Sequence, residues 1–423
     1  MCTDDYYGYS ILAFCHALRY AGKRMKRLQV LMLTTGFPRF TGDLFGAFIL
    51  EQAQALVASD VDVEVLAPHQ HGLSRKEQMG GVSVRRFRYF WPASLQKVAY
   101  GGGIPTNIKQ SWWARLEVPF FLLSYALSAR RRAKEADLLH CHWTVSGLVA
   151  IWASGRGKAI VLSVRGSDIN MLNNKWMRRL NSYIAARMDH IVAVSEDIAQ
   201  KLLAGGIPGE KIHVIANGVH GRFCPADKAT MRRNLDLPSE HFIVLFVGLL
   251  VPVKGLEILV EALSAWAAEK ANWACVLVGD GPLSEVLQQQ AIDAEIDEHM
   301  HFVGRRSSQE VPQWMQAADV LVLPSYSEGR PNVVLEAQAC GTPVVATRVG
   351  GTAELVVEGE TALLVESGDA AQLRAALEML RDDASRCEDM GRRARAHVEA
   401  SGLTWEASAN QLEELYRSAL KAA

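Results

Sequence analysis

The sequence predicts an α/β protein made of two doubly wound, Rossmann-like domains that face each other across a cleft. Three observations carry that prediction. The chain has 423 residues, enough for two domains at roughly 100–200 residues each. Short, continuously apolar, β-branched runs alternate with helix-period segments from end to end, as in parallel sheets covered on both faces. The rhythm breaks once, at Asn217-Gly218-Val219-His220-Gly221-Arg222-Phe223-Cys224-Pro225. That glycine-rich stretch, closed by proline, reads as an interdomain linker.

Taken in order, residues 1–25 are expected to be a non-structural extension. Asp4 and Asp5 precede their apolar run, His16 interrupts it and the basic cluster follows it, which is poor as a secretory signal. A natural start at Met25 is the alternative. Residues 26–216 form the first domain, with strands expected at 28–34, 62–67, Ala159–Val164, 190–194 and 212–216 and a helix at 48–58. Residues 217–225 form the linker. Residues 226–403 form the second domain, with strands at 242–248, 274–279, 301–303, 319–323 and 343–346 and helices at 255–270 and 373–380. The last segment, 404–423, carries Trp405, Ala409, Leu412, Tyr416 and Leu420 at spacings that mark one apolar helix face.

Composition excludes several classes of function. A hydrophobic fraction of 49% and a charged fraction of 22% are ordinary for a globular chain and unlike a disordered one. Forty-five basic and 46 acidic residues leave a net charge of −1, so the chain as a whole is no nucleic-acid-coating protein. Seven scattered cysteines without a C-x-x-C pair argue against a disulfide framework or a zinc knuckle and for a reducing, cytoplasmic compartment. The longest uncharged stretch, 138–155, holds two histidines, two serines and two glycines, which is weak for a membrane span.

The sharpest chemistry lies at Ser327-Glu328-Gly329-Arg330-Pro331-Asn332-Val333-Val334-Leu335-Glu336-Ala337, which follows a strand and enters a helix near Val333. Unpaired amides and a positive dipole at a helix start suit a phosphate, and Gly329 permits close backbone approach. Glu336 follows Asn332 by four residues, so both can face one ligand, and its carboxylate can accept from two vicinal ribose hydroxyls. Glu328, still on the loop, can reach a sugar beyond the phosphates. The competing reading is a solvated loop leading into a capped helix.

With these residues in view, the stretch from Ser327 to Thr347 resembles the signature of family 4 of the retaining glycosyltransferases, whose fold is GT-B. The resemblance continues through Gly341-Thr342-Pro343-Val344-Val345-Ala346-Thr347, Gly350-Gly351, Glu354, Gly279-Asp280-Gly281-Pro282, Asn217-Gly218-Val219 and Lys254-Gly255. It runs from about residue 28 to the end and is more specific in the second half. It implies that Glu336 holds the nucleotide ribose and Glu328 the transferred sugar. It places the amides of Asn332 and Val333 at sugar and phosphate and Arg305 beside the base. It also implies a last helix that crosses back to the first domain, and retention of configuration without a metal ion.

Lys254 ends the loop Gly248-Leu249-Leu250-Val251-Pro252-Val253-Lys254-Gly255. A departing diphosphate carries negative charge, and cations aimed at it stabilise the transition state. Similar enzymes usually place an arginine where this chain has Leu249. Arg330, where relatives more often carry an apolar residue, is a candidate replacement cation; pairing with a carboxylate or pointing to solvent is the alternative. In the first domain, Ser163-Val164-Arg165-Gly166-Ser167-Asp168 follows a strand, at the edge where open α/β sheets bind ligands. Many relatives have histidine at the position of Arg165, so their sugar contact does not transfer unchanged; Asp168 remains for acceptor or sugar hydroxyls. Gly42 and Gly46 resemble the family's first glycine loop, or form a plain turn. His140 and His142 share one strand face without a third ligand at metal spacing, so packing or acceptor lining is expected there and no metal.

Between Arg75 and Lys134 the chain has 12 Lys/Arg, two acids and ten aromatics. Two readings stay open for this region, a solvated face over a core helix and docking of an anionic membrane surface. No nucleic-acid motif accompanies it. Together these features predict transfer of a hexose-type sugar, with a UDP-sugar favoured over GDP-mannose as donor and a lipid-linked or polysaccharide acceptor. A nucleotide-sugar epimerase of the same fold, and an inactive partner subunit suggested by Leu249 and Arg165, are the rivals. A dehydrogenase is disfavoured because no G-x-G-x-x-G follows the first strand of either half.

Overall fold

The computed structural model describes residues 27–101, 103–155, 157–166, 175–267 and 272–422. The expected extension at 1–25 and the candidate Asp168 lie outside them. Eight strands form the first sheet: β1 (Leu28–Leu33), β2 (Val61–Pro68), β3 (Lys76–Met79), β4 (Val82–Phe87), β5 (Leu138–His142), β6 (Ala159–Val164), β7 (His190–Ala193) and β8 (Ile212–Val214). Their order is β3-β4-β2-β1-β5-β6-β7-β8, parallel except for the β3–β4 hairpin. Six strands form the second: β9 (Phe242–Val247), β10 (Trp273–Val278), β11 (Met300–Gly304), β12 (Val320–Leu323), β13 (Val344–Thr347) and β14 (Ala362–Val365). These are all parallel, in the order β11-β10-β9-β12-β13-β14.

Both orders reverse direction near the middle, so adjacent crossovers diverge and open a crevice at the carboxyl ends of the strands. The central strands are buried along their length, as their apolar sequences demand. In the second domain Trp266 and Trp273 meet edge to face, with centroids 5.3 Å apart, inside a core lined by β9, β10 and β12. The expected helix at 255–270 is shorter, Leu256–Ser264, because the chain turns to drive Trp266 into that core.

The chain passes between the domains twice, side by side. The Val219 N–H donates to the Leu403 carbonyl at 3.0 Å. A Cβ on Gly218 would stand 2.1 Å from the Trp405 nitrogen, so no other residue fits between the strands of this crossing. The last helix, Trp405–Ala422, then lies on the first domain. Its Ala409, Leu412, Leu415, Tyr416 and Ala419 share a core with Ile49, Ala53 and Leu56 of the helix Ala47–Ala58. Leu420, expected on that apolar face, is instead exposed in the last turn of the helix.

Candidate active site

The wall of the cleft on the second domain is built from three loops at the ends of β9, β10 and β12. The first rises from Gly248 and closes with a single 3₁₀ turn, Pro252–Lys254. Gly255 follows in the left-handed region at φ 61°, where a Cβ would stand 2.2 Å from the Pro324 carbonyl oxygen. This fit locks the Lys254 loop onto the loop after β12, and Tyr326 N–H adds a bond to Val253 O at 2.8 Å. Lys254 Nζ reaches Glu328 Oε1 at 2.6 Å, and Ser325 Oγ donates to the same oxygen at 2.6 Å. The two charged groups singled out from sequence are therefore in direct contact. Leu249 stands 44% exposed on the same loop and supplies no cation. Gly281 serves packing: its Cβ would meet Leu250 O at 2.3 Å, where the second loop lies on the first.

After Glu328 the backbone runs through Gly329 into the helix Asn332–Ala339, whose N-cap is Pro331 and whose start receives no side-chain cap. The first amides of a helix have no intrahelical partner, so this end presents donors and the positive pole of the dipole. One turn on, Glu336 is half-buried. Burial first, and the Glu51 carboxylate second, push its carboxyl up to about 8, with Arg222 opposing. Arg222 of the linker is itself ion-paired to Glu51 of the helix Ala47–Ala58. Neither residue was marked by the sequence, because each lies far from Glu336 along the chain.

The two domains touch along this wall. A Cβ on Gly329 would fall 2.7 Å from Gly166 N, and one on Gly166 would fall 2.8 Å from the Gly329 backbone. Ser195 Oγ and Gly351 N–H both donate to Gly329 O, at 3.3 and 3.0 Å. Glu354 crosses the cleft to cap the helix Glu196–Ala204, accepting from the Glu196 and Asp197 amides at 2.9 and 2.7 Å. Asn217 is the junction. Its Nδ2 donates to Asn332 Oδ1 at 3.1 Å, its Oδ1 accepts from Arg165 Nη1 at 3.4 Å and its carbonyl accepts from Arg330 Nη1 at 3.2 Å. Burial lowers the Arg330 guanidinium to about 10, with Glu354 opposing. Arg165 also lies over the Phe48 ring at 3.9 Å. Val333 is half-buried beside this junction.

At the outer end, Arg305 reaches Asp280 at 3.2 Å and, across the cleft, Asp43 at 3.7 Å. Gly42 packs on Ser307, and its carbonyl accepts from Ser308 N–H at 3.2 Å. Gly46 is a turn: at φ 72° it precedes the helix Ala47–Ala58, with no room for a Cβ beside Gly36 O. His140 is committed to packing, between Tyr416 Oη at 2.6 Å and Ser163 Oγ at 2.8 Å. His142 beside it is buried, and desolvation holds it well below the usual imidazole range, so it is neutral.

The chain matches known proteins over most of its length. The family model described as "Glycosyl transferases group 1" matches residues 227–397, and that of the "Glycosyl transferase 4-like domain" matches residues 45–218. A D-inositol 3-phosphate glycosyltransferase of Nocardia farcinica is 30% identical, over 94% of this chain and 90% of its own length. One of Streptomyces avermitilis is 29% identical over 90% and 85%. The fold is that of the sucrose-phosphate synthase of Thermosynechococcus elongatus, with a TM-score of 0.80 at 23% identity over 94% of this chain and all of the other. It is also that of Anabaena Alr3699/HepE in complex with UDP and glucose, at 0.72, 21%, 92% and 100%. The chain belongs to the group 1, or family 4, glycosyltransferases of the GT-B fold, which take sugar from a nucleotide donor.

Proposed function

We propose that this chain is a retaining hexosyltransferase that uses a UDP-sugar, needs no metal ion, and delivers the sugar to a lipid-linked or polysaccharide acceptor in the cytoplasm. The observation that carries the reading is the grouping of Lys254, Glu328, the uncapped helix start at Asn332 and the half-buried Glu336 on one wall. In this reading the donor diphosphate lies over the Asn332 and Val333 amides, with Lys254 neutralising the charge that develops as it leaves. Glu336 accepts from the ribose hydroxyls, Arg305 flanks the base, and Glu328 accepts from a hydroxyl of the sugar. The Gly248 and Gly281 loops form the floor, and Gly329 lets the sugar approach the backbone. Arg165 and Asp168 act at the reacting centre, Asp168 orienting acceptor or sugar hydroxyls, and Gly42, Gly46 and His142 belong to the acceptor side. The bond from C1 to the phosphate oxygen breaks, the acceptor oxygen bonds C1 on the same face, and the departing phosphate takes the acceptor proton.

UDP is favoured as the base by the HepE complexes with UDP and UDP-glucose. A second acceptor reading, a soluble cyclitol phosphate, is favoured by the names of the D-inositol 3-phosphate relatives. Saturation-transfer NMR against UDP-glucose, UDP-N-acetylglucosamine, UDP-galactose and GDP-mannose, with EDTA present, tests the donor. We expect one UDP-sugar to bind and Glu336→Ala to abolish it. Binding that survives this change removes the ribose assignment. A GDP-mannose response alone replaces the donor, and an isomerised donor without any acceptor would make the chain an epimerase.

A further inference from the structure

One face of the helix Trp112–Ala133 is left uncovered by the described protein. Trp112, Leu116, Phe120, Leu123 and Leu127 are all exposed, at steps of four, four, three and four residues. That spacing aligns them in one stripe, about 23 Å long at 1.5 Å per residue. The opposite face holds Phe121, Tyr125 and Ala129 in the core. Past Leu127 the stripe continues in register as the exposed cations Arg130, Arg131 and Lys134. Trp91, 83% exposed, stands beside its beginning, because its neighbour Phe90 packs edge-on against both Trp113 and Phe120.

The charge around this stripe is predominantly basic, the exposed Glu135 just past Lys134 being paired with Arg132 at 3.1 Å. Glu117, the helix's acid, is turned inward, where it accepts from Lys97 N–H at 2.9 Å and Trp113 Nε1 at 3.0 Å. Glu77 is consumed by Arg86 at 2.7 Å. Arg88, Arg115, Arg130 and Arg131 remain exposed. A contiguous apolar stripe with a mainly basic rim is more than scattered surface hydrophobes provide.

We propose that this face docks the protein on an anionic lipid bilayer, with Trp91 and the stripe in the interfacial layer and the arginines on headgroup phosphates. A second copy of the chain fits poorly, since pairing the stripes would oppose two basic rims. The helix lies on the surface: among the described residues no helix is long and apolar enough to cross a membrane. Its direction also matters. A helix covering a parallel sheet runs against the strands, so its Trp112 end lies toward their carboxyl ends, where the cleft opens. A cavity of about 560 Å³, lined in part by Leu95, Tyr100 and Trp113, opens beside that end. The docking rests on this surface alone; delivery of a lipid-linked acceptor to the cleft rests also on the reading above.

Vesicle co-sedimentation of the full chain tests it, with phosphatidylcholine alone and with phosphatidylcholine carrying phosphatidylglycerol. Binding is expected only to the anionic vesicles and to weaken with added salt. The double variant Arg130→Gln/Arg131→Gln is expected to partition about thirtyfold less. Leu116→Ser/Leu123→Ser is expected to lose binding with unchanged thermal melting and donor binding, two readouts that keep misfolding and failure of the transferase reading apart from failure of docking. Wild-type protein that ignores anionic vesicles, or variants that bind as well as it does, would overturn the proposal. So would a dimer in light scattering that the leucine variant dissociates, which would make the stripe an interface between copies.

Discussion

The carboxyl of Glu336 should make donor binding depend on pH in a way few other residues could imitate. Its value of about 8 in the free protein reflects burial and the neighbouring Glu51. Ribose hydroxyls donate to a carboxylate, so donor selects the ionised form and must release a proton when the site starts neutral. At about pH 7 only about one site in ten is ionised, a penalty of about 1.4 kcal/mol or roughly tenfold in Kd. Affinity should therefore rise with pH, by roughly 25-fold from about pH 6.5 to 8.5, and level off above the pKa. Titration calorimetry of UDP-glucose in buffers of different ionisation enthalpy reads both numbers, with close to one proton released per donor near pH 7. The sugar-nucleotide diphosphate does not itself titrate in this window. Glu336→Gln should bind more weakly at high pH and show no slope. A flat Kd in the unmodified protein, or a slope that persists in the glutamine variant, would refute the reasoning. Linkage fixes the sign for the free protein as well. An acid whose folded pKa is raised binds its proton more tightly when folded, so its contribution to stability is lost as pH rises from the ordinary carboxyl range through about 8.

Three further outcomes follow from the same wall. Lys254→Met removes the cation beside Glu328 and should lower kcat ~100-fold or more with a lesser change in donor Kd; steady-state kinetics with a matched Kd measurement separates the two. Glu354→Gln weakens a charge-assisted bond to the Glu196 and Asp197 amides, so closure should loosen. KM should rise about tenfold and the scattering radius should grow, while an unchanged radius would deny Glu354 a role in closure. Gly329→Ala places a methyl 2.7 Å from the Gly166 nitrogen, so the domains must part. Activity should fall ~100-fold, since misplacement of about 1 Å can do as much. Each domain keeps its own core, so the melting temperature should change little.

Much of the fold was legible because parallel strands are apolar throughout and their neighbours are not. β6 begins and ends where the sequence placed it, and most other strands lie within a residue or two. The hairpin β3–β4 was passed over because Lys76-Glu77-Gln78 carries no apolar run, although Gly80-Gly81 between Met79 and Val82 is a two-residue turn signal. β14 was passed over because its four residues sit alone between glycines, too short for periodicity to register. Glu328, Asn332 and Glu336 were legible because they share one loop and one helix turn. Ser325 was not, although its spacing to Glu328 is the local pattern by which a hydroxyl bonds a side chain three residues on.

The contacts between domains were not legible, and the reason is physical. A residue that works across a cleft is placed by two folds at once, and periodicity within either one is silent about it. Asn217 shows this best. In sequence it is the first residue of a flexible-looking linker; in the structure its side chain and carbonyl gather Arg165 from the first domain with Arg330 and Asn332 from the second. The two arginines were noticed separately, each where similar enzymes carry another residue, and the structure makes them partners of one asparagine. Both guanidinium groups are drawn toward the hinge, where burial already lowers Arg330 to about 10. In the function proposed above, Lys254 and the helix start at Asn332 stand opposite the leaving group. The contacts to Asn217 tie both arginines to the junction of the two domains, so removing either is expected to disturb how far the cleft closes, read as a change in scattering radius.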